Sequence, residues 1–213
     1  MIIAVDGPAA SGKGTLARRI ARELGYAHLD TGKLYRAVGM AVLREGGDPS
    51  DPAAAETAAR ALDLDTLDDP ELAGDEAALA ASKVSAVPAV RAALLETQRA
   101  FAARRPGAVL DGRDIGTVVC PEADIKLYVT ASDEIRAQRR HKELLDSGKA
   151  SIYARVLQDL KERDARDSER SVAPMKPAED AVMLDTTVLD ADAAFAAAME
   201  HIRVAGAGNP AEQ

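Results

Sequence analysis

Residues 2–15, IIAVDGPAASGKGT, constrain the fold of this chain more than any other stretch. Ile2, Ile3, Ala4 and Val5 are an apolar run suited to a fully buried strand, and Leu16, Ala17, Ile20, Ala21 and Leu24 recur at helical spacing. Gly7 to Gly14 is therefore a strand-to-helix loop. Gly7 and Gly12 can adopt backbone angles closed to other residues, which lets successive N–H groups turn onto phosphate oxygens while the following helix adds the positive end of its dipole. Gly7, Pro8, Ala9, Ala10, Ser11, Gly12, Lys13, Gly14 and Thr15 then form a cradle for a nucleotide, with the Lys13 ammonium on the β- and γ-phosphates. The alternative, a glycine-rich turn with an incidental lysine, leaves the conjunction of strand, spacing and helix unexplained.

A chain of 213 residues fits one α/β domain with room for an inserted lobe. At that length it can bury roughly 70% of its unfolded surface without metal or disulfide support. Cys120 is the single cysteine, so no disulfide forms within the chain. It reads as a small buried apolar residue in a protein of a reducing compartment. The sequence opens on a core strand with no charged-then-apolar leader, and nowhere runs to about 18 consecutive apolar residues. A cytoplasmic protein with no membrane partner is expected. A net charge of −8 argues against a general nucleic-acid binder, and the absence of tryptophan removes a base-stacking platform. His28, His141 and His201 share no ligand spacing, so neither metal binding nor catalysis is expected of them.

Four further apolar segments read as strands: Ala27–Asp30, Ala108–Asp111, Ile125–Val129 and Ala181–Leu184, with helical patterns between them all. The alternation implies an α/β fold, a parallel sheet of about five strands with helices on both faces and ligands at the strands' carboxyl ends. Residues 48–80 are rich in Ala and Asp and broken by Pro49, Pro52, Pro70 and Gly74, which suggests a helical insert with a mobile acidic connector. Ser147, Gly148 and Lys149 interrupt two charged helical patterns, 132–146 and 151–170, and mark a hinge or lid. Residues 206–213 are expected to be a disordered tail.

Three polar segments carry candidate chemistry. After the second strand, Thr31 can cap a helix whose next turn bears Tyr35 and Arg36. Either Tyr35 is core and Arg36 is solvated, or Arg36 clamps a second phosphate. Ala108 to Asp114 ends a buried strand in Asp111, where an acid would lie near Mg²⁺, usually through water. Arg113 and Asp114 either project into the crevice or pair with each other. Finally, Arg163, Arg166, Asp167 and Arg170 fall within about a 100° arc of one helix face. This is either a solvated ion-paired face or, with Arg136, Arg139, Arg140 and Arg155 bracketing the hinge, positive charge arranged for phosphoryl transfer.

These residues resemble the bacterial cytidylate kinase family, the CMP/dCMP branch of the nucleoside monophosphate kinases, over nearly the whole chain. The likeness is carried by Asp6-Gly-Pro-Ala-Ala-Ser-Gly-Lys-Gly-Thr15, Leu29-Asp-Thr-Gly-x-x-Tyr-Arg36, Asp111-Gly-Arg-Asp-x-Gly-Thr-Val-Val119 and Arg163-Asp-x-Arg-Asp-x-x-Arg-x-x-x-Pro174. Gly14 stands where a phosphate loop more often continues with Ser or Thr. The resemblance implies a single three-layer P-loop domain over 1–213, with a monophosphate-binding insert at about 36–95 and a lid at about 140–158. Between Leu64 and Ser82 the chain is too short for the small sheet of the family's insert.

The same resemblance implies transfer of the ATP γ-phosphoryl group to CMP or dCMP by a cytoplasmic monomer, with Mg²⁺ held by Thr15 and Asp111, through water. Ser82, Arg91 and Asp114 would read the cytosine edge. Arg163 and Asp167 would meet the sugar; Arg36, Arg113 and Arg170 would hold the acceptor phosphate, beside Thr31 and Tyr35. Catalysis would fall to Lys13, Arg136, Arg139, Arg163, Arg170 and Asp111. Two other functions compete: a P-loop kinase for another acceptor such as dTMP, AMP or shikimate, and a non-catalytic nucleotide sensor. The acceptor-sized arginine cluster speaks against the sensor, which needs one nucleotide site only.

Overall fold

The computed structural model describes residues 1–207. Five parallel strands, β1 (Ile2–Asp6), β2 (Ala27–Asp30), β3 (Ala108–Gly112), β4 (Ile125–Thr130) and β5 (Val182–Asp185), lie in the order β2-β3-β1-β4-β5. All five expected strands are present, β5 shifted by one residue. Pairing Ile2 with Ala108 and Ile3 with Ile125 puts β1 in the middle, and Val5 comes opposite Asp111 and Leu127. Side chains alternate across the sheet. Ile3, Val5, Val109, Leu127 and Val129 pack under α1 (Lys13–Leu24) and the last helix, α8 (Ala191–Ala207). Ala4, Ala108 and Leu110 face the other way, into a core shared with Leu34, Val38, Val90 and Leu94. Three layers follow from that alternation.

Between β2 and β3 lie α2 (Thr31–Arg44), α3 (Pro52–Arg60), α4 (Asp75–Val84) and α5 (Pro88–Ala102). Asp51 starts α3 by accepting from the Ala53 N–H, with Pro52 in the first turn where its missing donor costs nothing. The acidic connector is folded rather than loose. Leu64–Asp68 and Pro70–Ala73 are two 3₁₀ turns, capped by Asp63 and Asp69 and pinned by Arg44 to Asp69 and Glu71, both at 2.6 Å. The segment contains no strand.

After β4, α6 (Asp133–Asp146) and α7 (Tyr153–Glu169) pack antiparallel through Ala137, Leu144, Val156 and Leu160, a small core that also takes in Ala9 of the glycine-rich loop. Gly148, at φ +75°, makes the expected turn between them. Residues 206 and 207 close α8, and 208–213, the rest of the expected tail, lie outside the described residues. Among the described residues no single helix is long and apolar enough to cross a membrane.

Helix α2 packs closely on α4 at Gly39 and Ala80. A Cβ on Gly39 would lie 2.7 Å from Ala80 Cβ and 2.9 Å from the Ala80 carbonyl carbon. In an isolated helix Gly39→Ala would stabilise by about 1 kcal/mol, whereas forcing an extra methyl into a packed contact costs about 1–3 kcal/mol. Packing should win, with a net loss of about 1 kcal/mol or more in urea melts. A more stable Gly39→Ala protein would show that α4 is not held where the structure puts it.

Candidate active site

The glycine-rich loop leaves β1 through Gly7, whose φ of +146° brings its α-carbon so close to β4 that a Cβ would lie 2.0 Å from the Val129 carbonyl oxygen. Gly12, at φ +90°, caps α1, and Ala10 takes the left-handed region as well, at φ +59°. A loop that turns its N–H groups inward must turn its carbonyls outward and satisfy them there. Arg136 Nη1 donates to Ala9 O at 3.1 Å, while Thr186 Oγ1 and Arg139 Nη1 donate to Ser11 O at 3.0 and 3.3 Å. Both arginines, expected from the sequence to serve catalysis, are thus bonded to the carbonyls of the loop. Arg136 is buried, with its remaining donors on Ala131 O, Asp133 and Asp164. Arg139 continues to Thr186 O at 2.7 Å, so both guanidiniums bond the outward carbonyls of the loop. Arg140 pairs with Asp75 of α4 and with Glu143.

Lys13 opens α1, and its Nζ donates to Pro8 O at 3.2 Å. Burial pulls its ammonium down to about 7, Arg113 and Arg163 push the same way, and Asp111 and Asp30 oppose them. The lysine thus senses the arginines of the second cluster directly. Asp111, buried at the end of β3, holds one carboxylate oxygen 2.8 Å from His28 Nε2; the other lies 3.5 Å from where a Cβ on Gly14 would stand. His28 is a contact the sequence reasoning set aside. The signal was strand parity, since His28 pairs with Val109 and so shares its face with Asp111 two residues on.

The second cluster gathers around Asp114 and Asp167. Thr31 is the first residue of α2 rather than its cap, and its hydroxyl donates to Asp111 O at 2.8 Å. Arg36 lies 3.6 Å from Asp30. Arg113 and Asp114 do not pair with each other. They follow one another out of a strand and point apart: Arg113 Nε donates to Asp167 at 3.1 Å, and Asp114 is buried between Arg91 and Arg170 Nη2, the latter at 3.3 Å. Arg91 lies under the buried Tyr35 ring, 5.4 Å from its centroid.

Arg170 stands just past the end of α7 in extended conformation, with Nε on Ala173 O at 2.5 Å, so it does not belong to a solvated helix face. Burial works against the Asp167 carboxylate, yet Arg113, Arg163 and Arg170 together hold its pKa below the usual range. Arg163 itself reaches Asp167 only at 4.0 Å, its buried Nε has no hydrogen-bond partner, and burial beside Arg113 lowers its pKa to about 10. Ser82, buried on α4, accepts from Arg166 Nε at 3.2 Å.

Asp6 joins the clusters and was missed by the sequence reasoning. Its carboxylate, at the end of β1, accepts the Ile115 and Gly116 N–H groups, each at 2.8 Å, in the π-turn Ile115–Val119 that follows Asp114. Burial raises its pKa to about 6, against the two N–H bonds and with a push from Asp114.

A family model described as cytidylate kinase matches residues 3–204. The chain is 64% identical over 201 residues to the cytidylate kinase of Paramagnetospirillum magneticum, spanning 93% of this chain and 95% of that one. It is 62% identical over 204 residues to that of Rhodospirillum rubrum, spanning 94% and 96%, and 58% identical over 215 residues to that of Methylocella silvestris, spanning 99% and 100%. A solved structure from Eubacterium ventriosum, of an uncharacterized protein, shares the fold at a TM-score of 0.55 and 14% identity, over 96% of this chain and 98% of that one.

Asp6 supplies a pH test of this geometry. A carboxyl raised from its ordinary 3.8 to about 6 stabilises the fold fully below 3.8, and that contribution is lost as pH rises through 6. The change corresponds to roughly 2–3 kcal/mol. In urea melts, the stability advantage of the parent over Asp6→Asn should therefore shrink by that order between pH 4 and pH 7. A constant difference would mean that Asp6 is not buried as described.

Proposed function

The chain belongs to the cytidylate kinase family, and we propose that the two clusters are the donor and acceptor sites of its phosphoryl transfer. It transfers the γ-phosphoryl group of ATP to CMP or dCMP, giving CDP or dCDP and ADP. In our assignment the loop from Gly7 to Thr15 cradles the ATP phosphates by its inward N–H groups, with Lys13 on the β- and γ-phosphates. Arg136 and Arg139 hold the loop from behind. Across from Lys13, Arg36, Arg113, Arg163 and Arg170 take the acceptor phosphate, and Asp167 with Arg163 takes the sugar. Ser82, Arg91 and Asp114 read the cytosine edge beside Tyr35, with Thr31 fixing the end of β3. The exocyclic amine of cytosine donates where uracil presents a carbonyl, so a buried carboxylate discriminates by leaving the wrong base unpaired. The single observation that carries this assignment is the Arg163 guanidinium, part-buried beside Arg113 with its Nε buried and unbonded, and close enough to Lys13 to lower the ammonium's pKa.

With both nucleotides held this way, an oxygen of the acceptor phosphate attacks the γ-phosphorus as the bond to the ADP oxygen breaks. No covalent intermediate with the enzyme is needed, and the side chains act by position and by neutralising charge. For a metal ion beside the loop the assignment uses one carboxylate, Asp111, whose Oδ2 lies near Gly14, and one hydroxyl, Thr15. Among the described residues no three of His, Cys, Asp or Glu gather to hold a metal. Such a pair suits Mg²⁺ that arrives on phosphate oxygens and keeps its waters, and the ion would supply charge neutralisation there. His28 orients the carboxylate for it. On the same reading, residues of about 36–95 form the acceptor-binding insert and about 140–158 the lid of a single domain. The acidic surface favours small-molecule partners over nucleic acid, and we infer a cytoplasmic monomer.

ADP release with ATP plus each candidate acceptor in turn should be fast with CMP and dCMP, and slow with dTMP, AMP and shikimate. Lys13→Ala should lower it by about 10²-fold or more with an unchanged melting curve, the order found when a donor to developing charge is removed. Rapid turnover of another acceptor would overturn the base assignment, and near-normal turnover in Lys13→Ala would overturn the donor site.

Arg170→Ala tests the acceptor side. It removes a charge-assisted contact of about 1.5–3 kcal/mol, so kcat/KM for CMP should fall at least tenfold while KM for ATP stays within about twofold. Because Arg170 also bonds Asp114 and Ala173 O, some loss of melting temperature should accompany it. An equal rise in both KM values would return Arg170 to a purely structural part.

A further inference from the structure

Ser82 Oγ accepts a hydrogen bond from Arg166 Nε at 3.2 Å, and among the described residues no other group bonds that oxygen. A serine within a helix commonly donates to the carbonyl one turn back, which this one does not do. A hydroxyl offers one proton and two lone pairs, whereas a guanidinium only donates. The polarity of the Arg166–Ser82 bond is thus fixed: one lone pair of Oγ is occupied and the Ser82 proton is left over. Donation into an oxygen also polarises its O–H bond, making the hydroxyl a stronger donor and a weaker second acceptor.

We propose that Arg166 is a specificity-determining positioning residue, which turns the Ser82 hydroxyl into a donor toward the base and so favours a ring nitrogen bearing a lone pair over one bearing a proton. Cytosine presents the former at its pairing edge and uracil the latter. The inference rests on the assignment of Ser82 to the base and adds a source of discrimination beside Asp114.

Arg166 lies one turn from both Arg163 and Arg170 and next to Asp167, so the element that supplies the acceptor's sugar and phosphate contacts also orients a base reader on α4. Its removal should leave the surroundings in place. Arg140 of α6 pairs separately with Asp75 at the start of α4, and Gly39 packs on Ala80 from α2. Arg166 is itself exposed, so Arg166→Ala removes a hydrogen bond without opening a core cavity.

The test is a double-mutant cycle read as the ratio of kcat/KM for CMP to kcat/KM for UMP. Arg166→Ala should lower that ratio about five- to tenfold, mainly through KM for CMP, with KM for ATP and the melting curve nearly unchanged. Arg166→Lys, which keeps a donor-only cation, should recover most of it. Adding Arg166→Ala to Ser82→Ala should change the ratio no further, because the hydroxyl to be oriented is gone. Independent, multiplying effects of the two substitutions would overturn the proposal, as would an unchanged ratio in Arg166→Ala when Ser82→Ala lowers it. An unchanged ratio in Ser82→Ala itself would overturn the assignment of Ser82 and the proposal with it.

Discussion

Like charges brought together in a partly dry cleft repel, and the rest of this structure can be understood from how that repulsion is held in place. Arg36, Arg91, Arg113, Arg163, Arg166 and Arg170 converge from α2, α5, the end of β3 and the C-terminal end of α7 onto Asp30, Asp114, Asp167 and one hydroxyl. Cations outnumber carboxylates. An exposed ion pair contributes about 0–1 kcal/mol, but buried groups that lack a full complement of partners destabilise the free protein by more than that. An anion that enters the cluster relieves the repulsion among its arginines. On our assignment the acceptor phosphate is that anion, so part of its affinity arises from relief of that repulsion. Arg163, with an unpartnered Nε and a pKa held down to about 10, is where the repulsion is concentrated.

The donor side solves a related problem with dipoles. N–H groups turned inward are useful to phosphate only if the carbonyls on the other face have partners, and Arg136, Arg139 and Thr186 supply them. The same α6 arginine that bonds Ala9 O also pairs with Asp164 of α7 at 2.6 Å. Through that pair and the Ala137–Leu144–Val156–Leu160 packing, the element behind the donor loop is joined to the element that carries Arg163, Asp167 and Arg170. Asp6 makes a second junction at the centre of the sheet, between the last residue of β1 and the turn after Asp114. Neither junction presents a group of its own to a phosphate. On our assignment their effect is to set the distance between two sites that must meet in line, where about 1 Å of misplacement is costly.

What was legible in the sequence follows from range. The five strands, the loop at Gly7–Thr15 and the turn at Gly148 were readable because apolar periodicity and backbone angle are local properties. Asp111, Asp114 and the arginines of 163–170 were readable as candidates because polar residues at strand ends and on one helix face stand out against that periodicity. Their partners were not. Whether Arg113 meets Asp114, its neighbour, or Asp167, 54 residues away, depends on where α7 is laid down by the packing of α6. Arg136 and Arg139 looked identical to Arg163 by composition, and only the tertiary fold shows that they bond loop carbonyls. His28 and Thr186 were passed over for the same reason: their chemistry appears only once β2 lies beside β3 and β5 beside β4. The acidic run at 63–71 was misread as loose because its Asp residues act as caps and as partners of Arg44, which its high local charge concealed.

Rigidity links these observations. Residues 163–169 span about 9 Å at a helical rise of 1.5 Å per residue, Arg170 follows directly, and within that length they offer contacts assigned to the phosphate, the sugar and, through Ser82, the base. Residues on one helix cannot adjust their mutual spacing separately. On our assignment, a nucleotide whose base fails to meet Ser82 and Asp114 must therefore shift its sugar and phosphate relative to Asp167 and Arg163, which weakens the clamp proposed for the reacting phosphate. Base choice would then be felt in the phosphoryl-transfer step as well as in binding, since the proposed in-line approach to a γ-phosphate at Lys13 depends on the same helix. A cleft assembled from independent loops could recognise cytosine equally well, but it would not transmit a mismatch at the base to the reacting phosphate.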